Sequence, residues 1–206
     1  MKQKVYLFDF DGTLTSADTL IAFIRYACGT RRMLAGFALF SPLLILMKLR
    51  LYPNYRAKER VFAWFFRGMA ETEFDRLCRQ FAHHSQRLLR PAALDKLREV
   101  FHYGWTVAVV SASIDNWVRP FFDSLAKGSK SDFRVIGTRV EVRDGLLTGH
   151  FLTHNCYGAE KVKRLLSEMP ELKRRRKDFH VAAYGDSRGD REMLAWADEA
   201  HYKPFR

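Results

Sequence analysis

The stretch "VYLFDFDGTLT", Val5 to Thr15, runs four apolar residues straight into Asp9 and Asp11, with only Phe10 between the two acids. Four apolar residues without a polar interruption read as a short strand covered on both faces. A carboxylate buried at the end of such a strand is costly unless positive charge sits on it. No Lys or Arg lies between Val5 and Asp18. The compensating charge must come from a distant part of the chain, and the fold has to deliver it.

The rest of the chain shows what kind of fold can do so. Pro91 opens a helical pattern that Gly104 closes, and "WTVAVVSAS" then reads as a buried strand. A helix is expected over Trp117–Leu125, followed by a strand and a hairpin that turns at Asp144-Gly145. Ala159–Met169 reads as helix, "FHVAAYGDS" as another buried strand, "REMLAWA" as a short helix and "AHYKPF" as a last strand. Apolar strands alternating with helices predict an α/β fold, a doubly wound parallel sheet, with a small β-hairpin beside it.

Residues 15–90 carry no strand signal. They are expected to form a helical cap inserted after the first strand, leaving 1–14 and 91–206 as the α/β core. Within the cap a helix runs from Asp18 until Gly29, and another covers Tyr55–Phe66 and ends at Gly68. Thr72 with Asp75 resembles a capping box that opens a third helix, reaching about Leu89.

Ligands of doubly wound sheets bind at the C-terminal ends of the strands. Three strands here end in polar residues: the first in Asp9 and Asp11, the second in Ser111, and a later one in Gly185-Asp186-Ser187, with Asp190 a turn away. Four carboxylates on one sheet edge repel one another, and a divalent cation is their natural neutraliser. Oxygen ligands without His or Cys point to Mg²⁺ over zinc. A lone DxD is weak evidence. DxDGT, a strand ending in Ser, a later Lys161 and GDSxxD, in that order, form a much stronger set.

These motifs resemble those of the haloacid dehalogenase superfamily of phosphohydrolases, and the similarity covers the whole chain. "VSASIDNWVRPF", "VIGTRVEVRDGLLTG", "NCYGAEKV" and "YGDSRGDREML" are similar to segments of the subfamily that includes phosphoserine phosphatases. The resemblance implies a phosphatase in which Asp9 is the nucleophile, forming an aspartyl-phosphate. It implies that Asp11 protonates the leaving alcohol and later activates water. It further implies that Asp9, Asp186, Asp190 and the backbone carbonyl of Asp11 surround Mg²⁺, and that Thr13, Ser111 and Lys161 hold the phosphoryl oxygens.

Formal net charge is +12, so an anionic partner is expected: a phosphorylated metabolite, a membrane surface or a nucleic acid. Residues 15–90 hold 13 Lys and Arg against 5 Asp and Glu, so most of the excess sits in the expected cap. The same region contains "MLAGFALFSPLLILM", Met33 to Met47, flanked by Arg31, Arg32, Lys48 and Arg50. It is shorter than the roughly 20 apolar residues of a membrane span, and Pro42 interrupts it. Two readings stay open: a buried hairpin of the cap, or peripheral contact with an anionic membrane.

A basic and apolar cap is also similar to that of bacterial phosphatidylglycerophosphate phosphatases. Phosphoserine phosphatases carry a Glu soon after the first motif, where this chain has "TSADT" and only Asp18. The expected substrate is therefore a phosphomonoester with a lipid or otherwise apolar leaving group. Phosphoserine, another small metabolite, or transfer to an acceptor other than water are the alternatives.

Other features take plainer readings. His83-His84 belongs on a surface helix face, and the Lys173–Lys177 run in a solvated loop, so no nucleic-acid partner is expected. Cys28, Cys78 and Cys156 lie far apart and in no CxxC pair, which reads as reduced thiols in the cytoplasm. "MKQKVYLFDF" does not have the pattern of a signal peptide.

Overall fold

The computed structural model describes residues 2–206. Its centre is a five-stranded parallel sheet in the order β3-β2-β1-β6-β7, formed by β1 (Gln3–Phe8), β2 (Thr106–Ile114), β3 (Phe133–Thr138), β6 (Phe179–Gly185) and β7 (Glu199–Tyr202). The two-residue periodicity of β1 splits its side chains between faces. Tyr6 and Phe8 pack into one core with Val107, Val109 and Trp117. Val5 and Leu7 pack into the other with Ala108, Leu165 and Met193. Helices on both faces make this the α/β fold expected from the apolar strands.

The chain leaves β1 for β2 and β3 on one side and returns to β6 on the other. Strand order therefore reverses beside β1, and the crevice at its C-terminal end is where such sheets bind ligands. Phe8 pairs with Tyr184 of β6 and with Val109 of β2. That register sets Asp9, Ser111 and Asp186 around one crevice.

Residues 15–90 are helical. α1 spans Thr19–Lys48, α2 Asn54–Phe66 and α3 Glu71–His84. Asp18 caps α1, its carboxylate accepting from the Leu20 and Ile21 N–H groups. Gly29, with φ +78°, breaks α1, but helix resumes and passes through Pro42 to Lys48. The expected stop at Gly29 is thus a kink. One face of the later part packs on α2, where Gly36 lies against Phe65 and Trp64. Leu34, Leu39, Ile45 and Leu46 remain exposed on the other, so the buried-hairpin reading of Met33–Met47 does not hold.

The Thr72–Asp75 capping box is also absent. The cap of α3 is Ala70, two residues before Thr72, and the first N–H of the helix, that of Glu71, donates to the Gly145 carbonyl. Asp75 instead accepts a hydrogen bond from Asn116 Nδ2, 2.8 Å away. α3 ends at His84, short of Leu89, and both histidines are exposed.

α4 covers Pro91–His102. The helix expected over Trp117–Leu125 is broken into α5 (Asp115–Val118), a tight turn and α6 (Asp123–Ala126), because Pro120 brings no N–H to the ladder. The hairpin of β4 (Val140–Arg143) and β5 (Leu146–Phe151) turns at Asp144 and Gly145, both with positive φ. It packs on the helical layer, where Leu147 exchanges backbone hydrogen bonds with Gly68 and Met69. α7 (Ala159–Glu168), α8 (Pro170–Arg174) and α9 (Arg191–Trp196) complete the fold. The basic run after Leu172 is at the surface, with Arg175 and Arg176 paired to Asp178 and Asp198.

Phe23 joins the helical layer to the sheet. Its ring lies 4.9 Å from Trp117 and between 5.3 and 5.6 Å from Phe66, Phe74 and Phe81. Phe23→Ala is expected to cost about 3–5 kcal/mol, read as a lowered midpoint in urea unfolding.

Candidate active site

Lys161 is the missing positive charge. It stands in the first turn of α7, almost fully buried, with its Nζ 2.6 Å from Asp9 Oδ1 and 2.6 Å from Asp190 Oδ1. The loop before it is tied to the loop after β6 by the Gly158 N–H, which donates to the Gly189 carbonyl at 2.9 Å. Burial works against a charged lysine, but the two carboxylates outweigh it and hold Lys161 above its usual range.

Asp190 organises the neighbouring turn. Its Oδ2 accepts from the Ser187 hydroxyl at 2.7 Å and from the N–H groups of Ser187 and Asp186 at 2.9 and 3.2 Å. Burial opposes its ionisation, yet Lys161 and Ser187 keep its carboxyl below the usual range. Gly185 makes this packing possible, since a Cβ there would stand 2.5 Å from that of Asp190. At Gly12 a Cβ would come 2.6 Å from Asp186 Oδ2, and φ is +81°, so both space and backbone require glycine. Thr13 donates to Asp9 Oδ2 at 3.1 Å and approaches Asp186 Oδ1 at 3.4 Å.

The carboxylates of Asp9, Asp186 and Asp190 offer oxygens that all lie within 4.8 Å of one another. This is an all-oxygen donor set suited to a hard cation. Burial pushes Asp9 up to about 7 despite Lys161 beside it. Three carboxylates share this pocket with Lys161, and Asp186 also pairs with Arg206. The residues fit Mg²⁺.

Asp11 faces a different way. Its Oδ1 accepts from the Thr19 N–H at 2.7 Å and the Thr19 hydroxyl at 2.6 Å, and its Oδ2 accepts from the Ser113 hydroxyl. Burial, then the charge of Asp18, raise its carboxyl above the usual range. Its side chain stands outside the Asp9–Asp186–Asp190 group. Ser111 lies buried beside it and accepts from the Ser113 N–H at 3.0 Å.

Three residues of the candidate site had no sequence signal of their own. Thr19 and Ser113 orient Asp11, although each resembles an ordinary helix-start or strand-end hydroxyl. Lys58, on α2, sits half-buried beside Asp11 and Asp18, and burial lowers it from the usual lysine range. It lines a cleft of about 1280 Å³ that also reaches Asp18 and Arg188. Leu20, Phe37, Leu44 and Val61 give it apolar walls, and Lys48, Arg50 and Asn54 add polar ones. Cys156 is buried near Lys161, and burial raises its thiol to about 11, which leaves it structural.

Lys161→Met strands two buried carboxylates and is expected to cost about 3 kcal/mol or more, seen as a lowered unfolding midpoint in urea. Gly12→Ala is expected to displace Asp186 and weaken divalent-cation binding by at least about tenfold, measured by calorimetry.

The sequence pattern of the haloacid dehalogenase-like hydrolases matches residues 6–195. The protein CicA of Caulobacter vibrioides is 36% identical over 204 residues, covering 97% of this chain and 85% of CicA. A solved protein of unknown function from Bordetella pertussis Tohama I superimposes with a TM-score of 0.79 at 21% identity, over 95% of this chain and 87% of the other. A phospho-aspartyl intermediate analogue of phosphoserine phosphatase does so with a TM-score of 0.59 at 19% identity, over 96% and 84%. These structural likenesses show a shared fold, and the match along nearly the whole sequence goes further: the chain belongs to the haloacid dehalogenase-like hydrolase family.

Proposed function

We propose that the chain is a Mg²⁺-dependent phosphomonoester hydrolase that works through an aspartyl-phosphate on Asp9. The observation that carries this reading is the buried contact of Lys161 with Asp9 and Asp190, with Asp186 alongside and Asp11 held apart by its own donors. A neighbour in fold is a phospho-aspartyl analogue of phosphoserine phosphatase, which supports the same chemistry here.

In this reading a carboxylate oxygen of Asp9 attacks phosphorus as the bond to the leaving oxygen breaks. Asp11, whose carboxyl burial raises above the usual range, gives its proton to the departing alcohol. It then takes a proton from the water that attacks the aspartyl-phosphate, releasing phosphate and restoring Asp9. Lys161, Thr13 and Ser111 surround the transferring group and neutralise or donate to its oxygens. Asp9, Asp186, the Asp11 carbonyl and Asp190, directly or through water, would hold Mg²⁺, which supplies further positive charge against the phosphoryl oxygens.

The helical segment 15–90 serves as the cap that selects the substrate. Asp18, where phosphoserine phosphatases place a Glu after the first motif, is engaged as the cap of α1. The adjoining cleft combines apolar walls at Leu20, Phe37, Leu44 and Val61 with the basic side chains of Lys48, Arg50, Lys58 and Arg188. That chemistry favours a lipid phosphate, such as phosphatidylglycerophosphate, over phosphoserine. Three free cysteines agree with work in the cytoplasm.

Asp9→Asn is expected to lower hydrolysis of p-nitrophenyl phosphate by at least about a thousandfold with an unchanged circular-dichroism spectrum. EDTA is expected to abolish turnover in the native protein and Mg²⁺ to restore it. Full activity in the variant would remove the mechanism. In a panel of lipid phosphates and phosphoserine presented with detergent micelles, kcat/KM is expected to favour the lipids by at least about tenfold. A preference for phosphoserine would overturn the substrate assignment.

A further inference from the structure

The part of α1 beyond Gly29 has two apolar sides, and the fold covers only one of them. Residues 34–47 contain no charged side chain. Gly36, Phe37, Phe40 and Leu44 turn inward, onto α2 and the cleft that Asp18 and Lys58 also line. Leu34, Leu39 and Ile45 turn outward at 59%, 61% and 58% exposure. Their spacing of five and then six residues keeps them within one broad face of a helix, together with Pro42, Leu46 and Leu49. An exposed stripe of this kind marks an interaction surface.

The charges around the stripe identify the partner. Between Thr19 and Lys58 the chain has seven Lys and Arg and no Asp or Glu. Arg31 and Arg32 stand at one end of the stripe, Lys48 and Arg50 at the other, and all four are exposed. An apolar helix face between exposed basic ends matches an anionic bilayer, with side chains entering the acyl boundary and cations at the headgroups. α1 has the length and composition of a spanning helix, but its inner face is already packed on Trp64 and Phe65. It therefore lies along the protein, in the plane of the interface.

We propose that the exposed face of α1 from Leu34 to Leu49 docks the enzyme on anionic membrane. This rests on the lipid-phosphate reading and adds its partner. Phe37, Leu44, Met47, Lys48 and Arg50 also line the cleft that reaches Lys58. The same helix thus borders the bilayer on one side and the substrate path on the other. A lipid phosphate can present its headgroup to Asp9 while its chains stay at the membrane.

The test is co-sedimentation with vesicles of equal parts phosphatidylglycerol and phosphatidylcholine, and with phosphatidylcholine alone, using the Asp9→Asn protein so that turnover plays no part. Binding is expected to the anionic vesicles, weaker on phosphatidylcholine and reduced by high salt. Leu34→Gln, Leu39→Gln and Ile45→Gln together are expected to reduce it by at least about tenfold. In the active protein the same triple change is expected to leave hydrolysis of p-nitrophenyl phosphate unaltered. Absence of vesicle binding, or undiminished binding by the triple variant, overturns the docking proposal. So does a native dimer that the triple change converts to monomer, since the face would then join two copies of the chain. Lipid-phosphate hydrolysis in detergent micelles tests the substrate reading separately, because it needs no vesicle surface.

Discussion

A lysine buried between two aspartates is the contact on which the site depends. Asp9 follows β1, Asp190 follows β6, and Lys161 stands in the first turn of α7, so the contact joins three segments far apart in sequence. Each partner alone would be a costly buried charge. Together they are tolerable because every charge faces an opposite one and the remaining Asp190 oxygen is filled by Ser187 and the Asp186 N–H. Asp9, Asp186 and Asp190 together still bring three carboxylates to Lys161 and Arg206. A site short of positive charge is well suited to a divalent cation and to chemistry that neutralises phosphoryl oxygens.

Around that contact the two acids of the first motif are given opposite surroundings. Asp9 meets a lysine and two further carboxylates. Asp11, two residues on, meets the N–H of Thr19 and the hydroxyls of Thr19 and Ser113. Separate environments for two neighbouring carboxyls are what a nucleophile and a proton donor require. Thr19 belongs to α1 and Ser113 to β2, so the helical layer and the sheet jointly hold the acid. Trp117 Nε1 also donates to the Thr19 hydroxyl at 3.2 Å, joining this arrangement to the aromatic core around Phe23.

What could be read in the sequence follows from how local each signal is. The apolar strands Val5–Phe8 and Phe179–Tyr184 announce themselves by composition, and the acids after them by position. Lys161 stands out only because its companions recur in order. Thr19, Ser113 and Lys58 give no such signal, since their importance arises when α1 and α2 fold over the sheet edge. The capping box at Thr72 and Asp75 looked sound locally, but the hairpin supplied Gly145 as acceptor and Asn116 claimed Asp75. Gly29 does interrupt the helix, and a second helical stretch, packed through Gly36 on Trp64 and Phe65, follows it. Tertiary contacts overrode local propensity at the capping box.

The most direct test of the account is to find where the phosphoryl group goes. Acid quenching during turnover of an aryl phosphate, followed by peptide mass mapping, should place a phosphoryl increment on the peptide holding Asp9, sensitive to hydroxylamine as an acyl phosphate is. A phosphoryl group on any other residue, or none on the enzyme while a burst of alcohol is released, would contradict the account.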